Sequence, residues 1–257
     1  MEILRQLIES VDSGGSCVLA TVVAVHGSAP RGAGARLLIR GDGSREGTVG
    51  GGEVEGEVLA AAGAMLAGGP AARVLEMDTG CGGTVAVMLE RFAPQRRMLV
   101  IGAGHVGAAL AVTGARAGYC VTVASPGGTE RLAGVPGVET VATATPAMLE
   151  TWESPAVTQV VVATGDAAAD ASWAVAALGQ PFAGVGVLGS RKKAATIRQA
   201  AAAAGVPAAR VDTLRCPVGL DLGAVTPEEI AVSIVAELIR LDRTGEVPEG
   251  WRRTSRG

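Results

Sequence analysis

Cys81 sits in the run Gly80-Cys81-Gly82-Gly83, between neighbours that have no side chain to cover its sulfur. A thiol placed this way is open to metal ligation or nucleophilic sulfur chemistry, both of which need access and a local positive field. Cys17 and Cys120 fall inside apolar runs, and Cys216 precedes Pro217 in chain that must be extended. A second feature is Gly47-Thr48-Val49-Gly50-Gly51-Gly52, followed by Glu53 at the start of a helical pattern. Three successive glycines hold a conformation poorly, and they suit a backbone that comes close to a guest. Their N–H groups could receive a phosphate, and the competing explanation is a tight packing corner. Arg31, in Ser28-Ala29-Pro30-Arg31, is a candidate for a charge-assisted bond to the same anion.

A third feature is Gly102-Ala103-Gly104-His105-Val106-Gly107, directly after the apolar run Met98 to Ile101. A GxGxxG sequence between strand and helix is a dinucleotide fingerprint. Gly102 would allow the tight turn, Gly104 the approach of a pyrophosphate, and Gly107 the packing of helix on strand. His105 would stand in the first helical turn, facing either a ligand or the core. An acidic residue should close the next strand and hold the ribose. That strand instead ends Ala124-Ser125-Pro126-Gly127-Gly128, with Ser125 and Arg131 as the nearest substitutes. A retained fold with weakened or lost NAD(P) binding therefore stands beside NAD(P) binding itself.

The elements that must carry these residues fall into two halves. Ile3, Leu4, Leu7, Ile8 and Val11 recur at helical spacing, and Gly14-Gly15 ends that helix. Cys17 to Val25 predicts a strand buried on both faces, and Ala35 to Ile39 a second strand. A helix from Glu53 to Leu66 follows, then strands over Arg73 to Asp78 and Thr84 to Glu90. Beyond the boundary stretch Phe92 to Arg97, strands and helices alternate. Strands are predicted at Met98–Ile101, Cys120–Ala124, Val138–Ala142, Thr158–Ala163, Gly184–Leu188 and Arg210–Leu214. Helices are predicted at 105–117, 167–178, 191–204 and 227–242. Such alternation implies a parallel sheet covered by helices. The fold class is thus α/β, a mixed α/β domain over 1–93 followed by a Rossmann-like parallel-sheet domain over 97–243. Residues 244–257 lack periodicity and read as a flexible tail.

Composition narrows the function. At 48% apolar and 18% charged residues, the 257-residue chain is too hydrophobic for disorder. Only Lys192 and Lys193 are lysines, the net charge is −3, and no basic run approaches a nucleic-acid footprint until the short tail Arg252-Arg253-Thr254-Ser255-Arg256, so no nucleic-acid partner is expected. The four cysteines form no close pair, which argues against disulfides and structural zinc. The start MEILRQLIES does not read as a signal peptide, and the uncharged run Ala171 to Ser190 is cut by Gly179-Gln180-Pro181. A cytoplasmic protein without a membrane partner is the expectation. Three further motifs have structural readings. Thr226-Pro227-Glu228-Glu229 is a capping box. Arg191-Lys192-Lys193 opens a helix against its macrodipole, costing roughly a few tenths of a kcal/mol per cation, so an anionic ligand or partner is an alternative there. His26, at a strand end, is expected to be structural.

The ordered set of motifs resembles the XdhC/CoxI family, accessory factors of xanthine dehydrogenase and related molybdenum hydroxylases. The set comprises Ser28-Ala29-Pro30-Arg31, the Gly47 to Glu55 run, Cys81-Gly82-Gly83 and Gly102 to Val106. Gly189-Ser190-Arg191-Lys192-Lys193, Pro217 to Ala224 and Thr226 to Ile234 complete it. The resemblance implies a homodimeric chaperone that binds molybdenum cofactor, a pterin dithiolene with a terminal phosphate. It would present the cofactor to a cysteine desulfurase for sulfuration and pass it to an apo-hydroxylase. It further implies that Cys81 is the thiol tied to the cofactor and its metal. Ser125, Gly127 and Gly165 depart from the family pattern on the rim of the second half. An NAD(P)-dependent oxidoreductase, with the Gly102 loop holding the nucleotide, is the alternative. A scaffold that binds the hydroxylase without any cofactor is a third reading.

Overall fold

The computed structural model describes residues 2–142 and 144–251. Two compact units divide between Pro94 and Gln95.

In the N-terminal unit, helix α1 (Glu2–Asp12) precedes strands β1 (Cys17–His26), β2 (Arg36–Arg40) and β3 (Arg45–Gly47). Helix α2 (Gly52–Leu66) and strands β4 (Ala72–Asp78) and β5 (Thr84–Phe92) complete it. The sheet has the order β3-β2-β1-β5-β4, and all its pairs are antiparallel. Helix α2 lays Val54, Val58, Ala62 and Met65 on one face, against Val18, Ala20, Val22, Val87 and Leu89. Helix α1 packs Leu7 on the other face, against Cys17, Leu19 and Leu38. Burial on both faces therefore holds only for the first part of β1. Beyond the reach of α1 the strand opens, and Val23 is 47% exposed. The three-residue edge strand β3 is absent from the sequence reading because Arg45-Glu46-Gly47 carries no apolar alternation.

Register places the loops. Thr84 pairs with both His26 and Asp78, and Gly47 pairs with Leu37 near the start of β2. The connections 27–35, 48–51 and 79–83 therefore leave the sheet from the same end.

The C-terminal unit opens with β6 (Arg97–Ile101), α3 (His105–Arg116), β7 (Cys120–Ala124) and β8 (Val138–Val141). It continues through β9 (Thr158–Val162), α4 (Ala167–Leu178), β10 (Gly184–Val187), α5 (Arg191–Ala203), α6 (Ala208–Val211) and α7 (Pro227–Thr244). Its sheet is parallel, in the order β10-β9-β6-β7-β8. Chain order reverses between β6 and β9, as in a doubly wound sheet, and ligands bind such sheets outside the carboxyl ends of the strands at that point. Trp173, Ala177, Leu178 and Phe182 cover one face, while Leu110, Val218, Ile234 and Leu238 cover the other. The α/β class and the Rossmann-like second half match the reading of the sequence.

Two expectations need correction. No strand forms over Arg210–Leu214. Pro207 starts the short helix α6 there, and Arg210 turns its guanidinium onto the carbonyls of Phe182 and Gln180. Only Arg215 bridges to Gly186 of β10. The segment after α7 is also tied back as far as it is described. Gly245 caps the helix at φ 75°, Val247 is buried, and the Trp251 carbonyl accepts the Asp221 N–H at 2.9 Å. The rest of the expected tail, 252–257 with its basic run, lies outside the described residues. Among the described residues no helix is long and apolar enough to cross a membrane.

Candidate functional site

Gly50, Gly51 and Gly52 have φ values of 142°, 73° and 57°, a run that only glycine sustains without strain. A methyl added at Gly51 or Gly52 would meet nothing within 4 Å. The packing-corner explanation thus fails for those two positions, because their free faces look into open space. Of the three, only at Gly50 would an added Cβ find a neighbour, the Pro30 ring at 3.7 Å.

Thr48 and Glu55 fasten the turn. The Thr48 hydroxyl donates to Glu55 Oε2 at 2.8 Å, and the Gly51 N–H donates to the same oxygen at 3.2 Å. The Gly50 N–H reaches Thr48 Oγ1 at 3.2 Å, and Arg45 lies 3.8 Å from the Glu55 carboxylate. An internal anion therefore already occupies part of the glycine corner. The N–H groups of Gly52, Glu53 and Val54, in the first turn of α2, donate to no described residue, and Gly51 caps the helix without a side-chain bond. Those three donors, with the partial positive charge of the helix start, remain for an outside anion. Glu53 itself is exposed.

The β4–β5 connection carries Cys81. Thr79 is 6% exposed, and its Oγ1 lies 2.7 Å from the Ser28 carbonyl and 3.0 Å from that of Gly83, whose N–H it accepts. Gly82 turns the chain at φ 81°. A Cβ on Gly83 would lie 2.4 Å from the Ser28 oxygen and 2.5 Å from the His26 oxygen, so the hairpin presses directly on the exit of β1. Cys81 is left exposed at its tip. The β1–β2 loop thus touches both features, with residues 26–28 against the hairpin and Pro30 against Gly50. Arg31 follows Pro30, exposed and without a bond to a described residue. His26 is exposed at the strand end.

In the C-terminal unit the fingerprint glycines divide their work. A Cβ on Gly102 would lie 2.5 Å from the Ala163 oxygen, and one on Gly107 would lie 2.0 Å from the Gly102 oxygen. Both are consumed by internal packing. Gly107 is buried and reaches no guest, which corrects its place among the candidate cofactor contacts. Gly104 meets nothing within 4 Å, and with Gly102 and His105 it lines a cleft of about 510 Å³. His105 is exposed there, so a core-packing role is excluded. Ser125 and Arg131 line the same cleft, with Ser125 Oγ accepting the Gly127 N–H at 3.4 Å.

Sequence reasoning missed two residues in the N-terminal unit, Thr79 and Glu55. A threonine closing a strand two residues before the cysteine, and a carboxylate four residues after the last N-cap glycine, were the available signals. It also left the Gly189 to Lys193 motif without an internal partner. Lys193 Nζ binds the buried Asp170 at 2.7 Å, and Asp170 accepts the Thr164 N–H at 3.0 Å and its hydroxyl at 2.7 Å. A Cβ on Gly189 would lie 2.6 Å from the Lys193 stem. The motif thereby braces the Thr164-Gly165-Asp166 wall of the cleft. Burial pushes the thiols of Cys17 and Cys216 up; at Cys216, Lys193 and Arg198 pull the other way without prevailing.

These features define a class: a glycine-cornered sheet unit with an exposed thiol, joined in one chain to a Rossmann-type unit. Models of the "XdhC and CoxI family" and of the "XdhC Rossmann domain" match residues 10–78 and 98–238. The chain belongs to the XdhC/CoxI family. Residues 79–97, including the Cys81 hairpin, lie outside both matches. The chain is 30% identical over 247 residues to the uncharacterized protein YqeB of Escherichia coli K12, a match over 87% of this chain and 43% of that protein. It thus spans less than half the length of that relative. The fold is similar to the crystal structure of a xanthine dehydrogenase from Bacillus halodurans. The TM-score is 0.52 at 21% identity, over 97% of this chain and 99% of that one.

Proposed function

We propose that this protein is an accessory carrier of molybdenum cofactor. In this reading it holds the cofactor for sulfuration by a cysteine desulfurase and delivers it to a xanthine dehydrogenase-type apo-hydroxylase. One observation carries the proposal: the Cys81 hairpin and the glycine corner leave the same end of one sheet and are linked by the β1–β2 loop.

The residues present fit such a cargo. Its terminal phosphate would take the N–H groups of Gly52, Glu53 and Val54, with Arg31 adding charge from the neighbouring loop. Its metal end would take the sulfur of Cys81, a soft ligand suited to a soft site. Among the described residues no group of three or more His, Cys, Asp or Glu is placed to hold a metal ion. Cys81 would thus add one ligand to a metal that arrives already chelated by its dithiolene. A reducing cytoplasm, which keeps free thiols free, suits the proposal, as does a homodimer of the kind the family resemblance implies. Hydroxylation chemistry would belong to the recipient enzyme.

The test is purification from a host that makes the cofactor, followed by oxidation and pterin fluorescence, and then mixing with apo-hydroxylase. We expect bound pterin near one per chain and a gain of hydroxylase activity. Protein free of pterin that also fails to activate the enzyme would contradict the proposal.

A further inference from the structure

The Gly102 cleft lies where the order of the parallel sheet reverses, and the carrier function gives it no task. Its middle is the glycine turn. Gly104 leaves open space there, and the N–H groups of His105 and Val106, at the start of α3, donate to no described residue. Its two ends differ in charge. Ser125 and the chain at 164–166 follow β7 and β9, the strands on either side of β6, so they stand about 10 Å apart. At the β9 end Asp166 supplies the acid of the lining, and its carboxylate caps α4 by accepting the Ala169 N–H at 2.7 Å.

The β7 end is cationic. Arg131 lines the cleft from the single helical turn Glu130–Leu132, which the buried Leu132 anchors. The Arg131 side chain is exposed and bonds to no described residue. Glu130 turns its carboxylate back over Gly128 and does not line the cleft. A sheet of this kind that binds NAD closes its second strand with a carboxylate for the ribose hydroxyls. Ser125 stands in that place, only 6% exposed. Its Oγ accepts the Gly127 N–H at 3.4 Å, and its own proton meets no described acceptor. Beside it, a methyl on Gly127 would meet nothing within 4 Å.

We infer that this cleft selects a dinucleotide phosphorylated at the 2′ position of its adenosine ribose, the NADP form over the NAD form. Ser125 would donate to the 2′-phosphate, Arg131 would pair with it, and the start of α3 would take the diphosphate. A phosphate monoester carries about two negative charges near neutral pH, which a carboxylate at position 125 would repel and a hydroxyl does not. The guanidinium fork of an arginine matches its oxygens in pairs. Asp166, at the far end, is too distant to oppose it. The inference concerns binding alone and is independent of the Cys81 reading.

The full chain is titrated by calorimetry with NADP⁺ and with NAD⁺. Saturable binding is expected, at least tenfold tighter for NADP⁺. Arg131→Ala removes an exposed, unpaired side chain, so the melting temperature should stay unchanged. In that variant NADP⁺ should bind at least fivefold more weakly, and NAD⁺ as in the parent. Gly104→Val, which fills the space of the diphosphate, should weaken both ligands at least tenfold. Ser125→Asp should invert the preference; should it fail to fold, Arg131→Ala decides alone. No saturable binding of NADP⁺, equal affinity for the two, a preference that survives Arg131→Ala, or binding untouched by Gly104→Val would overturn the inference. So would a preference for NAD⁺ that Glu130→Gln removes, since Glu130 would then hold the ribose.

Discussion

At Gly51 and Gly52 of the N-terminal unit an added methyl would meet nothing within 4 Å, whereas at Gly107 of the C-terminal unit it would lie 2.0 Å from a carbonyl oxygen. Both runs are glycine-rich entries into a helix, and each precedes a helix whose N-cap makes no side-chain bond. The first turns its backbone outward through positive φ. The second spends two of its three glycines on seating α3 against β6 and on the approach of β6 to the chain after β9. A glycine fingerprint therefore reports on backbone geometry, and only the surroundings of each missing Cβ say whether a guest or a neighbouring strand requires it.

Substitution at these glycines can break that contrast. The largest effect is expected for Gly107→Ala, where the methyl meets backbone that cannot move aside. Denaturant unfolding should show a loss of about 3 kcal/mol. Gly104→Ala, with open space around it, should stay within about 0.5 kcal/mol of the parent and serves as its control. Equal losses at the two positions would erase the distinction. Gly83→Ala comes next, at about 2 kcal/mol, because its methyl would strike the Ser28 and His26 carbonyls. It should also loosen the Cys81 hairpin, seen as faster hydrogen exchange at Gly82 and Gly83.

The smallest effect sharpens the same contrast at helix starts. Helix α2 leaves its first donors open, whereas α7 fills its own: Thr226 accepts the Glu229 N–H, and Glu229 accepts the N–H groups of Val225 and Thr226. Those two backbone bonds hold the Glu229 carboxyl below its ordinary value. A carboxylate with a depressed folded pKa stabilises above its unfolded value, and that contribution is lost as pH falls through the folded value. Glu229→Gln should therefore lower stability slightly at neutral pH, converge with the parent in acid, and so flatten the acid side of a stability-against-pH curve. An acid limb identical to that of the parent would remove the capping box from the account.

Much of this architecture was legible because local signals agreed with the tertiary ones. The helix starts at Ala167, Arg191 and Pro227 were readable because Asp166, Ser190 and Thr226 cap them. The strands of the parallel sheet were readable because burial on both faces makes them continuous apolar runs. What escaped lacked such a signal. The three residues of β3 are exposed at an edge and held by register with β2 alone. Around Arg210 the expected strand gives way to a helical turn, which Pro207 and the carbonyls reached by Arg210 decide. In the candidate site, Cys81 and the glycines stood out through their neighbours in sequence. Thr79 acts across space on Ser28, which its place two residues before Cys81 does not announce, whereas Glu55 acts locally on Thr48 and Gly51 and its spacing was there to be read.

The most direct test of the joint role of thiol and glycine corner is pterin retention by three proteins purified alongside the parent: Cys81→Ala, Gly51→Ala and Gly104→Ala. The account predicts at least tenfold loss for Cys81→Ala at unchanged melting temperature. It also predicts a comparable loss for Gly51→Ala and parental retention for Gly104→Ala. Full retention by Cys81→Ala, or loss confined to Gly104→Ala, would contradict it and move the cargo to the other unit.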